Sequence, residues 1–377
     1  MKLKNVLIMT NNMNGGGAEH VLLTLLRHLP RSRYSIDLCL VYREGVLLDR
    51  LPSDLSISAI FEERTPESAE CIRADEGELY QRAVRRKYDI EIAFLEGNAV
   101  KIMSRSNNRD AVKIAWVHLD LSREHYTKTV YKSTEQEKEA FLSFNHIFCV
   151  SCAVLGGLER LFGPDLRERS YIVFNPIEHE EIMRLAEIVE LQKHGVTFCA
   201  AGRLEHQKAF NRLLSSAQRL RAEGFTFHIW LLGEGSLRSE LERECDERML
   251  TDIVDFLGYQ MNPYPYIKQA DAFVSTSRVE GLSMVIGEAL VLRTPVIATN
   301  CNGQIEALQG GKYGFLVDNS ESGVYKGMKA VLTGEYVGNE LAYSGSERYL
   351  PFRLEDYMQR ICSLLEIDTQ TQVVSKQ

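Results

Sequence analysis

Short unbroken apolar runs alternate along this chain with stretches whose apolar residues recur every three or four positions. Residues 6–10 (V-L-I-M-T), 34–42, 90–95, 113–118, 147–150 and 171–174 are runs of the first kind. Runs of that length bounded by turn residues predict strands buried on both faces of a parallel sheet. Residues 18–29 have helical spacing and stop at Pro30, so the first run and this segment form a βα unit. The pattern restarts after Asn175-Pro176, with runs at 196–201, 227–232, 253–259, 272–274, 295–299 and 313–317. Alternation of this kind predicts a doubly wound α/β fold. The proline break divides it into domains at 1–175 and 176–351. Residues 62–78 read as an acidic, irregular surface excursion. Segment 352–367 returns to helical spacing, and 368–377 is a polar tail.

The candidate chemistry lies where strands end, the edge at which open α/β sheets bind ligands. Gly15-Gly16-Gly17 bridges the first strand and helix, letting backbone approach a ligand and aiming N–H groups at it. It is not the dinucleotide fingerprint, because G-x-G-x-x-G is absent. His118 ends a strand, and Glu96 and Asn98 occupy the polar loop after another. In the second half, Gly202-Arg203-Leu204-Glu205-His206-Gln207-Lys208 offers two cations in a glycine-led loop, a fork and a point charge for an anion. Gly233-Glu234-Gly235 and Gly258-Tyr259 end the next two strands. Residues 275–290, S-T-S-R-V-E-G-L-S-M-V-I-G-E-A-L, read as strand end, loop and helix, with Ser283 at the N-cap position. A helix start there suits a phosphate, and Glu280 and Glu288, eight positions apart, suit hydroxyls flanking a diphosphate.

E-G-L-S-M-V-I-G-E, with the glycine loop, His118, G-R-L-E-H-Q-K and G-E-G in that order, resembles the retaining GT-B glycosyltransferases of family 4 over nearly the whole chain. The resemblance implies two Rossmann-like domains facing across a cleft, with the C-terminal helix, 352–370, packing back on the first. It implies sugar transfer from a nucleotide diphosphate donor with retained configuration, without metal or other cofactor. Arg203 and Lys208 then match the pair neutralising the departing diphosphate, supplemented by the amides of Gly16 and Gly17. Glu288 matches the ribose-binding carboxylate and Glu280 the carboxylate near the sugar hydroxyls. Gly202, Gly233, Gly258, Tyr259, Gly281, Leu282 and Ser283 would line the donor, and His118 would face its sugar. F-L-E-G and W-V-H-L-D suggest the surface-polysaccharide enzymes among these. Those imply a UDP-sugar, a glycan or polyprenyl-diphosphate-linked acceptor met by Glu96 and Asn98, and peripheral contact with the inner membrane. The expected chemistry is same-face attack, with Glu280 as a positioning group. A nucleotide-sugar epimerase or hydrolase on the same scaffold, or a non-catalytic sugar-nucleotide binder, is the alternative.

Composition narrows the rest. The 377 residues are 45% hydrophobic and 25% charged, with a mean hydropathy of -0.19, the profile of a globular protein. No apolar run approaches the roughly 18 residues of a membrane span, and residues 1–10 lack a secretory h-region. These features and eight cysteines without framework spacing predict a cytoplasmic location. Cys149-Val-Ser-Cys152 has no second pair to complete a zinc site. Residues 1–176 hold 24 Lys and Arg against 24 Asp and Glu, so the other 20 against 28 carry the whole net charge of -8. No basic face for nucleic acid follows from that balance. Arg82, Arg85, Arg86 and Lys87 suit either a solvated helix face or anionic lipid.

Overall fold

The computed structural model describes residues 3–74, 76–336, 338 and 353–367. The apolar runs of the first half become β1 (Lys4–Thr10), β2 (Tyr34–Tyr42), β3 (Ser56–Phe61), β4 (Ile90–Phe94), β5 (Val112–Val117), β6 (His146–Cys149) and β7 (Ser170–Ile172). Those of the second half become β8 (Thr197–Ala201), β9 (His228–Leu232), β10 (Val254–Gly258), β11 (Ala272–Ser275), β12 (Val296–Thr299) and β13 (Phe315–Val317). All pair in parallel. The first sheet runs β3-β2-β1-β4-β5-β6-β7 and the second β10-β9-β8-β11-β12-β13. Ile8, Ile92, Ile114 and Phe148 in one sheet, and Phe198, Ile229, Phe273 and Ile297 in the other, are fully buried. That is why these strands read as unbroken apolar runs rather than as alternation.

The chain separates into two compact units, Met1–Pro176 with Glu355–Gln377, and Ile177–Leu354. The helix Leu354–Leu364 buries Tyr357, Ile361 and Leu364, with the Tyr357 ring 6.5 Å from that of Trp116 in β5. Lys4 Nζ donates to Leu365 O at 3.3 Å, and Arg33 pairs with Glu366. Residue 352 and the tail 368–377 lie outside the described residues.

One expectation needs correction. The acidic stretch 62–78 is not irregular: it holds the helices Pro66–Ala74 and Glu76–Ala83. Thr65 and Ser68 exchange backbone-to-side-chain hydrogen bonds at 2.9 and 3.1 Å and start the first. Buried Ile72, Leu79 and Tyr80 hold both against the sheet side. The basic cluster that follows is largely paired within the unit. Arg82 meets Glu78 at 2.7 Å, Arg86 meets Asp37 at 2.8 Å and Lys87 meets Asp110 at 2.6 Å. Cys149 is buried at the end of β6, where desolvation pushes its thiol far above the usual range, so no reactive dithiol forms with exposed Cys152. Among the described residues no group of His, Cys, Asp and Glu could hold a metal ion, and no helix is long and apolar enough to cross a membrane.

In each sheet the strand order reverses beside the first strand, between β1 and β4 and between β8 and β11. These reversals leave a crevice at the carboxyl ends of the strands, which is where such sheets bind ligands. In the second unit the loops flanking it are 202–208 and 276–283. In the first they are the glycine loop after β1 and Leu95-Glu96-Gly97 after β4.

Candidate active site

Three glycines let the tips of β8, β9 and β10 close on one another. Gly233, at φ 132°, has no room for a Cβ, which would run into the carbonyl oxygen of Gly202. Gly233 N–H donates to Gly258 O at 2.8 Å, and a Cβ on Gly258 (φ 69°) would lie 2.9 Å from Glu234 Oε1. Leu204 N–H donates to Glu234 O and Leu237 N–H to Leu204 O, each at 2.9 Å. Glu205 accepts from the amide and hydroxyl of Ser236 at 2.9 and 2.7 Å. The glycine-led loop after β8 is thus fixed along its length before any ligand arrives. Half-buried Tyr259 follows Gly258.

The same loop is laced to the one after β11, across the switch point. Arg278 N–H donates to Gln207 O at 2.8 Å, Gln207 Nε2 to Val279 O at 2.9 Å, and Thr276 Oγ1 to Lys208 O at 2.6 Å. These contacts carry Lys208 Nζ to 2.5 Å from Glu280 Oε1, which also accepts from Ser277 Oγ at 2.6 Å. Glu280 is only 6% exposed; without cation and hydroxyl its carboxylate would be costly at that depth. Beneath it Thr299 Oγ1 donates to Ser277 O at 2.6 Å, and Gln304 bonds Ser275 and Thr299. Gly303 allows this approach, since a Cβ there would lie 2.6 Å from Glu280 O and 2.7 Å from Gly281 O. Asn319 Nδ2 donates to Arg278 O at 3.0 Å, and Arg212 to Asn319 Oδ1 at 2.6 Å.

Ser283 is the N-cap residue of the helix Met284–Val291, but its hydroxyl does not cap. Ser283 Oγ is buried without a hydrogen-bond partner among the described residues, as is Arg278 Nε. Gly281 is buried and Leu282 half-buried beside Ser283. Glu288 is half-buried in the second turn, where desolvation raises its carboxyl to about 7. Arg203 is exposed, and its guanidinium has no ion-pair partner among the described residues.

The structure therefore brings Gly202, Lys208, Gly233, Gly258, Glu280, Gly281 and Ser283 into one connected loop cluster of the second unit. The sequence reading missed the residues beneath that cluster: Gln207, Ser277, Thr299, Gln304 and Asn319. Ser277 alone had a local signal, three positions before a carboxylate in a loop. The others are joined to it only by folding.

In the first unit Gly16 is the buried N-cap of the helix Gly17–His28, Gly15 has φ 88°, and Gly17 is exposed. The His118 ring lies 4.8 Å from Phe94 and 6.1 Å from Trp116. Burial lowers its pKa to about 3 and leaves Nε2 without a partner, so the imidazole is neutral. Its backbone N–H donates to Glu96 Oε2 at 2.8 Å. Glu96 is 1% exposed, turned inward rather than to solvent, and Asn98 is half-buried at the start of the helix Asn98–Met103.

Fold and sequence comparisons define the class. The fold is GT-B: HepE of Anabaena, solved with UDP and glucose, matches over 96% of this chain and 99% of its own, with a TM-score of 0.76 at 17% identity. Residues 184–345 match the family described as "Glycosyl transferases group 1". The lipopolysaccharide core biosynthesis glycosyltransferase LpsE of Rhizobium meliloti is 24% identical over 54% of this chain and 59% of its own length. The N-acetylgalactosamine-N,N'-diacetylbacillosaminyl-diphospho-undecaprenol 4-alpha-N-acetylgalactosaminyltransferase of Campylobacter jejuni is 29% identical over 43% and 44%. The chain thus spans about half the length of these two curated relatives.

Proposed function

We propose that this protein is a retaining glycosyltransferase using a nucleotide diphosphate sugar, UDP favoured, to extend a surface-polysaccharide glycan or its polyprenyl-diphosphate-linked precursor. The observation that carries the reading is half-buried Lys208 paired with buried Glu280 at the switch point, three positions before the helix start at Ser283. A sugar leaving a diphosphate sheds negative charge that must be met where it develops. In this reading Lys208, Arg203 and the N-terminus of Met284–Val291 meet it, without a metal. Glu288 accepts the ribose hydroxyls, and Glu280, held by Lys208 and Ser277, orients the sugar hydroxyls. Gly258 and Tyr259 lie toward the base. The departing phosphate oxygen takes the acceptor's proton on the face it leaves, which retains configuration. Glu280 serves as a positioning group. His118 and the Gly16 and Gly17 amides of the first unit take part in turnover, and Asn98 belongs to the acceptor side. Names of relatives in lipopolysaccharide core and diphospho-undecaprenol chemistry support the acceptor class. That acceptor places the protein at the cytoplasmic membrane face, which co-sedimentation with anionic vesicles checks.

The test is a panel of nucleotide sugars scored by thermal shift and by slow donor hydrolysis, with product anomers read by NMR. A ligand at 100 times its Kd stabilises the folded state by about 2.7 kcal/mol, so an unidentified acceptor does not prevent detection. If no nucleoside diphosphate or its sugar raises Tm, the reading fails. An inverted product removes the retaining mechanism alone.

A further inference from the structure

The tip of β4 holds a carboxylate that the reading above does not use. Glu96 sits between Leu95 at φ 121° and Gly97 at φ 89°. Leu95 is a branched residue in a region L side chains rarely adopt, so the turn is strained. The turn directs the carboxylate back to the end of the adjacent strand. β5 pairs with β4 up to Trp116 against Phe94. Beyond that rung His118 N–H meets Glu96 Oε2 at 2.8 Å instead of a main-chain carbonyl. No Lys or Arg pairs with Glu96 among the described residues. The groups facing it are the His118 amide, Tyr126 of the turn Tyr126–Thr129, Glu137 of the helix Thr134–Leu142, and Cys149 of β6. Lys101, on the helix that follows the loop, donates to Val130 O at 2.7 Å.

We propose that Glu96 is a positioning residue for His118, its carboxylate replacing the missing rung of the sheet and holding the histidine where turnover requires it. This rests on His118 taking part in transfer, as read above. Geometry makes the device pH-sensitive. Burial raises the Glu96 carboxyl to about 7, opposed by the hydrogen bonds from His118 and Tyr126. The ionised form accepts a charge-assisted bond about twice as strong as the neutral form does. The rung therefore tightens as pH rises through 7, while His118 itself stays neutral.

The experiment follows the ¹⁵N–¹H signal of the His118 amide from pH 5.5 to 8.5 in the wild type, Glu96→Gln and Glu96→Ala, beside pH profiles of kcat and KM. In the wild type the amide should shift with a midpoint near 7, and kcat should fall on the acid side with the same midpoint. Glu96→Gln, which still offers an oxygen, should abolish both titrations and lower kcat at pH 8 by about tenfold, leaving donor KM within about twofold. Glu96→Ala should lose more. An amide that does not titrate in the wild type, or a Glu96→Gln profile with the wild-type acid limb, overturns the proposal. An amide that titrates as expected in a protein that transfers no sugar upholds the linkage and overturns the function proposed above.

Discussion

Lys208 Nζ lies 2.5 Å from Glu280 Oε1, although 72 positions separate the two residues. Both are held from behind, Lys208 through its carbonyl to Thr276 and Glu280 through Ser277. The ammonium is therefore pre-placed, and little side-chain entropy remains to be lost when an anion arrives. Lys208→Ala should lower kcat by about a hundredfold or more with a smaller effect on donor KM, as expected when charge is met mainly in the transition state. Glu280→Gln keeps the shape but leaves the lysine without its partner. The double variant should cost clearly less than the two single costs combined, because each single change already breaks the pair. Steady-state kinetics of the four proteins checks this; simple additivity would show that the two side chains act independently.

Burial raises the Glu288 carboxyl to about 7, whereas accepting two ribose hydroxyls, as proposed, would favour the ionised form. With a value near 7, about a tenth of the protein is ionised at pH 6 and about nine tenths at pH 8. Donor affinity should then improve about tenfold across that interval. Glu288→Gln should bind weakly and show no such trend. Stability moves the other way. The folded value lies above the unfolded one, so the stability contributed by this group is complete below about pH 4.5 and is lost as pH rises through 7. The variant should accordingly melt higher than the wild type at pH 8 and equally at pH 4.5. Calorimetry of donor binding and thermal melts at the two pH values read both signs.

Much of this architecture is legible in the sequence because its strands are buried on both faces. β1, β8 and β12 are unbroken apolar runs, and turn residues bound them. β3 (S-I-S-A-I-F) escaped because an edge strand with half-exposed positions loses that signal. The helices within 62–83 escaped because their acidic outer face hides the few buried residues, Ile72 and Leu79 among them. The motif loops could be placed at strand ends, yet the lacing of Gln207 to Val279 depends on which strands become neighbours. Linear spacing does not carry that information. Glu96 is the sharpest case: a loop carboxylate reads as a surface group, and only the turn at Leu95 directs it inward to His118.

The tip of β9 tests the rigidity of the loop cluster without touching a charged group. Gly233 adopts φ 132° and its missing Cβ is the space occupied by Gly202 O. Gly233→Ala must both strain the backbone and push the 202–208 loop away, for a loss of about 2–4 kcal/mol. Gly195→Ala is the control: φ is 75°, but nothing lies within 4 Å of the new atom. It should lose only the left-handed penalty, about 1–2 kcal/mol. Denaturant melts measure both. If Gly233→Ala keeps the wild-type midpoint, the loops after β8 and β9 are not rigidly coupled.

Charge accounting makes the requirement for metal a test of the site. In the proposed function the cations offered to a diphosphate are Lys208 and the exposed Arg203, with the positive end of the helix Met284–Val291. Arg203 has no other ion-pair partner among the described residues, and only Glu280 competes for Lys208. On the proposed function Lys208, Arg203 and the helix end would supply the counter-charge that a magnesium ion would otherwise bring. Treatment with excess EDTA should therefore change the transfer rate by less than about twofold, and added Mg²⁺ should not raise it. Removing Arg203 should lower kcat by about ten- to a hundredfold under the same conditions. A loss beyond about tenfold on chelation, restored by Mg²⁺ alone, would mean that these side chains do not suffice and that the charge-neutralising role assigned to Lys208 and Arg203 is wrong.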